Sequence, residues 1–300
     1  MVESPAMKLL LDTDIGNDID DALALAYLLR EPQCELLGVT TVCGEPEKRC
    51  EMASAVCRHL GRTDVPIHPG CPVPLSIAQR QPTCPQAARL GDWPRDRFAA
   101  DNSAVDFLRR TIRANPGEVT LLAIGPLTNV ATLFSLDPEI PSLLKGLYLM
   151  CGRFFDANVG EWNAFLDPWA TFVTYGNGTH PRPPVHVSFG LDVTTKVQLP
   201  REEARSRFAA LSGLGPVRDF AEVWFEKSER VTFHDPLAAV CVFHPEVCTY
   251  EDAFVRVSVS EPTLGWTVPC PPPAGEKAPH RIARTVDAGA FFRIWFGALA

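Results

Sequence analysis

The sequence has no long hydrophobic run, and this absence bears on where the protein resides. Its N-terminal segment MVESPAMKLLLDTD contains an apolar run of only three residues before an aspartate. A signal peptide needs roughly 7–15 apolar residues and a membrane-spanning helix about 20. We therefore expect neither a cleaved leader nor a membrane span, and we expect a cytoplasmic protein.

The sequence also lacks an excess of basic residues. It has 28 Lys and Arg against 36 Asp and Glu, which gives a formal net charge of −8. Nucleic-acid-binding surfaces carry basic patches that neutralise phosphates, and no basic stripe is present here. We therefore expect no nucleic-acid partner and no membrane partner.

The ten cysteines form no C-x-x-C pair, so the sequence offers no support for a zinc or redox motif. Cys43, Cys50 and Cys57 are spaced by seven residues, which on a helix would form one stripe of small apolar side chains. Cysteines scattered through a large chain are typical of a reducing compartment, where thiols pack as buried hydrophobic groups.

The pattern of the whole chain is that of an ordinary globular protein, with 300 residues, 46% hydrophobic and 21% charged. Apolar runs typical of buried strands alternate with helical patterns, as in KLLLDTD followed by DDALALAYLLREP. This order predicts an α/β fold with a mainly parallel central sheet and helices on both faces. No repeat or linker is present, so we expect a single domain over residues 1–300.

Three segments carry more specific structural predictions. PVHVSFGLDV is predicted to be a strand. The Pro-rich pieces CPVPLSIAQRQPTCPQ and VPCPPPAGEKAPH are predicted to be surface loops. Asn129 in LTN is predicted to cap a helix, with Thr128 as the other candidate.

Five aspartates lie within ten positions: Asp12, Asp14, Asp18, Asp20 and Asp21. Two like charges a few ångströms apart cost on the order of 4 kcal/mol at an effective dielectric near 20, so a proton, a basic group or a metal must offset the repulsion. A single Asp is readily explained as a helix cap, but five around a glycine turn are not. Carboxylates without cysteines or a histidine pair suit Ca²⁺ or Mg²⁺, although the spacing does not fit an EF-hand loop.

Other polar segments follow other predicted strands. GPLTN follows EVTLLAI, RFFDANVGEWNAFLDP follows LYLMCG, and VTFHDPLAAV comes late in the chain. Ligands bind to open parallel sheets at the carboxyl ends of the strands. We therefore expect these segments and the aspartate cluster to converge on one site.

DTDIGNDIDDALAL resembles the N-terminal signature of the nucleoside hydrolases, the inosine-uridine-preferring N-ribohydrolases. Five further motifs follow in the family's order up to position 240: GVTTVCG, AIGPLTNVA, GEWNAFLDPWA, GLDVTTKV and FHDPLAAV. The resemblance implies the Rossmann-like nucleoside hydrolase fold and Ca²⁺-dependent hydrolysis of the N-glycosidic bond of ribonucleosides, giving ribose and free nucleobase. It also implies a small-molecule ribonucleoside substrate, a role in purine or pyrimidine salvage, and a homodimer or homotetramer.

The resemblance also implies roles for individual residues. Asp14 would bind the metal and accept a proton from the metal-bound water as the general base, and His234 would lie near the leaving base and could protonate it. The implied metal ligands are Asp14, Asp21, the backbone carbonyl of Ile124, and Asp235. The implied ribose-binding residues are Asp20, Asn158, Glu161 and Asn163, with Asn158 a better candidate than Asp156.

Some positions depart from the family's usual pattern. Ile19 and one neighbour are additional residues before Asp20, so Asp18 is a spare acid and the division of roles between Asp18 and Asp20 stays open. Glu45 stands where the family often has Asn, and ARLGDWPRDRF replaces a His-Gly-rich loop. The nucleobase preference is therefore not set by the resemblance. Trp224 and Phe225 before His234 are core residues or base contacts.

Two other functions are compatible with parts of the pattern. In a haloacid dehalogenase-type Mg²⁺ phosphatase, Asp12 would be the nucleophile and Asp14 the acid/base, but Gly16 stands where that family needs Thr or Val. A non-catalytic nucleoside- or ribose-binding protein on the same fold is the second alternative, since a fold does not establish an activity.

Overall fold

The computed structural model describes residues 6–156, 160–176, 181–272 and 274–300. Its strands are β1 Met7–Thr13, β2 Cys34–Thr41, β3 Ile67–Pro69, β4 Thr120–Ala123, β5 Gly146–Met150, β6 His186–Phe189, β7 Gln198–Pro200, β8 Arg230–Thr232, β9 Cys248–Val257, β10 Thr267–Cys270 and β11 His280–Val286. Nine of them form one sheet in the order β10-β9-β11-β6-β5-β4-β1-β2-β3, and β7 and β8 form a separate antiparallel pair.

The sheet is mainly parallel, as predicted. All neighbours from β11 across to β3 run parallel. Only β9 runs antiparallel to its neighbours β10 and β11, at one edge of the sheet. The prediction of an α/β fold is confirmed, whereas the antiparallel edge was not predicted. The extent of a single domain over residues 1–300 stays a prediction.

The helices cover both faces of the sheet. They are α1 Asp20–Arg30, α2 Pro46–His59, α3 Ala104–Ala114, α4 Thr128–Leu136, α5 Ile140–Leu143, α6 Trp162–Leu166, α7 Pro168–Thr174, α8 Leu191–Thr194, α9 Arg201–Ala209, α10 Gly215–Phe225, α11 His234–Phe243 and α12 Ala288–Leu299. Short 3-10 helices span Pro85–Arg89, Ser212–Leu214 and Pro245–Val247. Within the described ranges, no helix combines the length and the apolar character needed to cross a membrane.

The apolar run in β1 is continuous because both faces of this strand are buried. Leu9 and Leu11 pack into one hydrophobic core with α1, α2, α11 and α12. Leu10 points to the opposite core, which contains residues of α3, α4 and α7. Because β1 lies between β2 and β4 and runs parallel to both, its carboxyl end is flanked by the carboxyl ends of two other strands.

Some local predictions need correction. The strand predicted for PVHVSFGLDV ends at Phe189, and Leu191–Thr194 forms α8 instead. The chain turns there because the Asp192 carboxylate accepts hydrogen bonds from the backbone N–H groups of Phe154 and Phe155, at 2.7 and 3.0 Å. Cys43 precedes α2, so only Cys50 and Cys57 share a helix.

The two Pro-rich pieces also differ from simple surface loops. The first is irregular until Pro85, where a 3-10 helix begins, but it buries Gln81 and Cys84 rather than lying wholly exposed. The second begins inside β10, which ends at Cys270, and reaches the start of β11 at His280. All ten cysteines are free and nine are buried, in line with their expected packing role.

Candidate active site

A cavity of about 340 Å³ opens at the carboxyl ends of the parallel strands. It is lined by residues from three of the polar segments that the sequence analysis singled out and by Ile124, which directly precedes the fourth, GPLTN. These residues are Asp14, Asn17, Asp18, Asp20, Asp21, Gln81, Ile124, Met150, Glu161, Trp162, Asn163, Leu191, Trp224, Lys227, His234 and Asp235. Asn158 lies outside the described residues, so its place relative to the cavity stays a prediction.

Three buried carboxylates form the floor of this cavity. One oxygen each from Asp20, Asp21 and Asp235 lies within 4.8 Å of the others. Asp20 and Asp21 occupy the first turn of α1, and Asp235 occupies the first turn of α11. The backbone N–H of Asp235 donates to the Asp20 carboxylate at 3.2 Å. Two helix N-termini therefore meet at the floor, where their dipoles favour negative charge.

Asp14 lies beside this floor, directly after β1. Its Oδ2 atom accepts a hydrogen bond from the Gln81 amide, and the Gln81 carbonyl accepts one from the Trp162 indole at 2.9 Å. Gly125 approaches so closely that a Cβ atom there would lie 2.8 Å from Asp14 Oδ1. The side chain of Asp14 is thus held on two sides.

Gly16 shapes the turn that separates Asp14 from the start of α1. Its φ angle is +124°, which L side chains rarely adopt. A Cβ atom at this position would also collide with the Cys84 sulfur. This turn therefore needs glycine, and it carries the chain back so that Asp20 and Asp21 face Asp14.

Burial governs the pKa values of these carboxyls. It raises the pKa of Asp20, Asp21 and Asp235 well above the ordinary range, and neighbouring aspartates raise each of them further. Burial also raises the pKa of Asp14, against the opposing effects of Arg49 and Gln81. Carboxylate oxygens crowded in this way fit a hard divalent cation, which would replace the protons that the isolated cluster holds.

In the metal-free protein, we expect Tm to fall by roughly 3 °C or more between about pH 5.0 and about pH 7.5. A carboxyl group whose pKa is higher in the folded than in the unfolded protein stabilises the folded state fully at pH values below its unfolded pKa. That stabilisation is lost as the pH rises through the folded pKa. Burial raises the pKa of Asp18 to about 7, within this window. Asp137, whose pKa Arg113 lowers to about 2, titrates far below it.

Thermal melts followed by circular dichroism, with chelator and with excess Ca²⁺, measure this effect. Buried thiols ionise on unfolding under both conditions, so the difference between the two melting curves isolates the carboxylates. An equal decline in Tm with and without Ca²⁺ would show that this cluster does not cause it.

Glu161 and Asn163 form the side of the cavity next to the floor. Glu161 caps α6, and its two oxygens accept backbone N–H groups of Asn163, Ala164 and Gly152 at 2.7, 2.9 and 3.1 Å. The Asn163 amide donates to the Ile124 carbonyl at 2.8 Å, the oxygen that the sequence analysis predicts as a metal ligand. Both side chains are therefore fixed in orientation.

His234 begins α11 on another wall. Its Nδ1 atom lies 2.7 Å from the Thr194 hydroxyl. Burial lowers the pKa of the imidazole to about 4, so the ring is neutral at pH 7. A neutral imidazole can donate one hydrogen bond but is not a cationic acid, which disfavours full proton transfer from His234 at neutral pH.

Asp12 lies behind the cavity and does not line it. Its Oδ1 atom accepts hydrogen bonds from the Thr40 hydroxyl and from the Asn129 amide, the latter at 2.7 Å. Asn129 also donates to the Thr41 carbonyl, and no side chain caps α4, so the cap prediction was wrong. A fully buried carboxylate that accepts two hydrogen bonds from neighbouring side chains cannot reach a substrate, which argues against Asp12 as a phosphatase nucleophile.

Arg49 on α2 is a structural residue of the site that the sequence analysis missed. Its guanidinium is fully buried and donates to the carbonyls of Ile15, Gly44 and Thr83 at 3.0, 2.8 and 3.0 Å, as well as to that of Asp14. It therefore joins the segments that follow β1 and β2 to the Pro-rich loop. The available signal was an arginine on a helix face that is otherwise apolar.

The chain is similar to known proteins over nearly its full length. The sequence model of the inosine-uridine preferring nucleoside hydrolases matches residues 9–293. Uridine nucleosidase 1 of Arabidopsis thaliana is 31% identical over 281 residues, which cover 87% of this chain and 81% of that protein. The pyrimidine-specific ribonucleoside hydrolase RihA of Escherichia coli O1:K1 / APEC is 30% identical over 283 residues, 88% of each chain.

Solved structures show the same fold. The purine-preferring ribonucleoside hydrolase from Gardnerella vaginalis superposes with a TM-score of 0.81 at 27% identity, over 97% of this chain and 98% of that one. A plant nucleoside hydrolase, the PpNRh1 enzyme, superposes with a TM-score of 0.82 at 23% identity, over 98% and 99% of the two chains.

These similarities confirm the predicted resemblance and the predicted class of enzyme, a hydrolase acting on N-glycosyl compounds. They favour neither the phosphatase nor the non-catalytic binding protein. The chain belongs to the inosine-uridine preferring nucleoside hydrolase family.

Proposed function

We propose that this protein hydrolyses the N-glycosidic bond of ribonucleosides and releases ribose and the free nucleobase. The observation that carries the proposal is the convergence of Asp20, Asp21 and Asp235 within 4.8 Å at the floor of a cavity, with Asp14 beside them. Family membership supports the reaction class. A panel of nucleosides assayed for free ribose tests the proposal, and tight nucleoside binding without base release would contradict it.

We propose Ca²⁺ as the cofactor, held by Asp14, Asp21, Asp235 and the Ile124 carbonyl. All four offer hard oxygen donors, which suit Ca²⁺. The closest trio of carboxylates includes Asp20 in place of Asp14, so Asp20 lies near enough to contact either the cation or a sugar hydroxyl. When bound, the cation would neutralise the floor and lower the pKa of a water molecule.

In the proposed reaction, Asp14 is the general base. The C1′–N bond breaks and its electron pair stays on the base nitrogen, while a water oxygen bonds to C1′ and gives its proton to Asp14. Gln81 occupies Oδ2 of Asp14, so Oδ1 is the atom left to accept the proton. Gln81, itself hydrogen-bonded by Trp162, thereby orients the carboxylate of Asp14, the proposed general base.

Glu161, Asn163 and Asp20 are proposed to hold the ribose. Three backbone N–H groups fix the Glu161 carboxylate before any sugar binds, which supports this role. A pre-oriented acceptor loses little freedom on binding, so more of its interaction is available for catalysis. Asp20 is the better candidate than Asp18 because Asp20 belongs to the close carboxylate trio.

Removal of Ca²⁺ is expected to abolish hydrolysis and to lower thermal stability together. The carboxylates of Asp14, Asp21 and Asp235 lose the cation that offsets their repulsion. A ligand present at 1,000 times its Kd stabilises the folded state by about 4 kcal/mol, which is then lost. Ribose release and Tm are measured before and after chelation, and again after Ca²⁺ is restored.

Asp21→Asn is the matched control for chelation. This variant is expected to bind Ca²⁺ weakly, so its Tm should respond far less to chelator than that of the wild type. Full turnover in protein shown by elemental analysis to be free of metal would contradict the proposed cofactor.

A further inference from the structure

One hydrogen bond joins α8 to α11 behind the cavity wall. The hydroxyl of Thr194, the last residue of α8, lies 2.7 Å from Nδ1 of His234, the first residue of α11. The Asp192 carboxylate anchors α8 through the backbone N–H groups of Phe154 and Phe155. Threonine is β-branched, so its side chain has few rotamers. The hydroxyl therefore meets the imidazole from a position that its own helix fixes.

The hydrogen of this hydroxyl determines which nitrogen of the imidazole is protonated. Thr194 is fully buried, and within the described residues its hydroxyl has one hydrogen-bond partner, Nδ1 of His234. If Nδ1 carried a hydrogen, that N–H would donate to the hydroxyl oxygen, and the hydroxyl hydrogen would be left without an acceptor. A buried donor without an acceptor costs the full desolvation of that group. If the hydroxyl instead donates to a bare Nδ1, both groups are satisfied, so this arrangement is favoured.

The other ring nitrogen, Nε2, then carries the hydrogen of the imidazole. In the described part of the chain, Nε2 of His234 has no hydrogen-bond partner, and it is not one of the fully buried polar atoms that lack one. This nitrogen is therefore accessible. Because His234 lines the cavity and its Nδ1 is turned to Thr194, Nε2 is the ring nitrogen that is open to a ligand.

We infer that Thr194 is a positioning residue, which selects the tautomer of His234 that presents an Nε2–H donor to the cavity. Thr194 is not among the described residues that line the cavity, so it acts through the imidazole ring. An oxygen or nitrogen atom with a free lone pair is the ligand group that complements this donor. The Nε2–H makes a hydrogen bond and keeps its proton. The kinetic effect of Thr194 rests on the proposed nucleoside hydrolysis, whereas the tautomer does not.

Nitrogen NMR of protein with isotope-labelled histidine and saturating Ca²⁺ tests the tautomer directly. The signals of His234 are identified by their loss in His234→Gln. We expect the wild-type ring to carry its hydrogen on Nε2 and to have a bare, hydrogen-bonded Nδ1. Thr194→Val keeps the shape of the side chain but removes the hydroxyl, so nothing selects one tautomer and the spectrum should show both.

The kinetic test uses uridine and two variants of Thr194. We expect kcat/KM to fall about 10-fold in Thr194→Val and to stay within about 3-fold of the wild type in Thr194→Ser, which restores the hydroxyl. Thr195→Val is the matched control, because Thr195 is exposed and its hydroxyl donates to the Leu191 carbonyl at 2.6 Å. This control should change neither the tautomer nor the rate. The response of Tm to chelator should be that of the wild type in all three variants, since no carboxylate is altered.

A wild-type ring with its hydrogen on Nδ1 would overturn the inference, and so would a Thr194→Val ring that still carries its hydrogen on Nε2 alone. An equal loss of kcat/KM in Thr194→Ser and Thr194→Val would also overturn it, because packing rather than the hydroxyl would then be the cause. If the wild type released ribose from no nucleoside, the proposed function would fail, and the NMR spectrum would still decide the tautomer.

Discussion

A 2′-deoxyribonucleoside is expected to be hydrolysed about 10⁴-fold less efficiently than the ribonucleoside with the same base. Asp20, Glu161 and Asn163 are buried polar side chains at the cavity, and we propose that they surround the sugar. Without the 2′-hydroxyl, at least one of them loses its hydrogen bond to the sugar in a buried site. The intrinsic chemistry favours the deoxy compound, because its ribosyl cation forms more easily, so any preference for ribose must come from the protein.

The measurement is kcat/KM for uridine and 2′-deoxyuridine under saturating Ca²⁺. 5′-Deoxyuridine is the matched control, because no described residue is assigned to the 5′-hydroxyl and its loss should cost much less. Equal values for uridine and 2′-deoxyuridine, or a preference for the deoxy compound, would remove the proposed contacts to the ribose.

Asp14→Asn is expected to lower kcat by at least about 10³-fold. The new side chain has nearly the same shape, and its amide carbonyl can still accept the hydrogen bond from Gln81. What it loses is the basic oxygen and one negative charge. The large loss of rate should therefore come without a large change in the structure of the site.

Assays at rising Ca²⁺ concentrations separate weakened metal binding from a lost base, because only the former recovers at saturation. Asp18→Asn is the control: Asp18 lines the cavity but is outside the close carboxylate trio, and we expect less than about a 10-fold loss. An Asp14→Asn enzyme with nearly wild-type turnover would mean that another group takes the proton.

The parts of the fold that follow from short-range patterns were predictable. The apolar run of β1 indicated a strand buried on both faces, and α1 showed its acidic first turn and an apolar body. α8 was not predictable in this way, because it begins where Asp192 bonds to the backbone of Phe154 and Phe155, almost forty residues earlier. α6 was missed because Glu161, its cap, is not a residue type favoured at N-caps.

The residues of the candidate site also divide into those that the sequence predicts and those that it does not. The crowding of carboxylates near residue 20 was visible in the sequence, since like charges are rarely placed together without a counterion. Arg49 and Gln81 were not visible. Arg49 bonds to backbone carbonyls, which every residue has, and Gln81 reaches Asp14 from a loop with no periodic pattern. Residues whose partners are backbone atoms or distant loops leave no local signature.

The cavity takes its clustered carboxylates and its Trp224 and Lys227 lining from different parts of the architecture. The carboxylates follow β1 of the nine-stranded sheet or begin helices α1 and α11, whereas Trp224 lies in the last turn of α10 and Lys227 follows that helix. The Trp224 indole bonds to β8, which lies outside that sheet. Substitutions at Trp224 and Lys227 change neither a strand of the nine-stranded sheet nor a carboxylate of the cluster, so a laboratory library aimed at new leaving groups would begin by randomising these two positions.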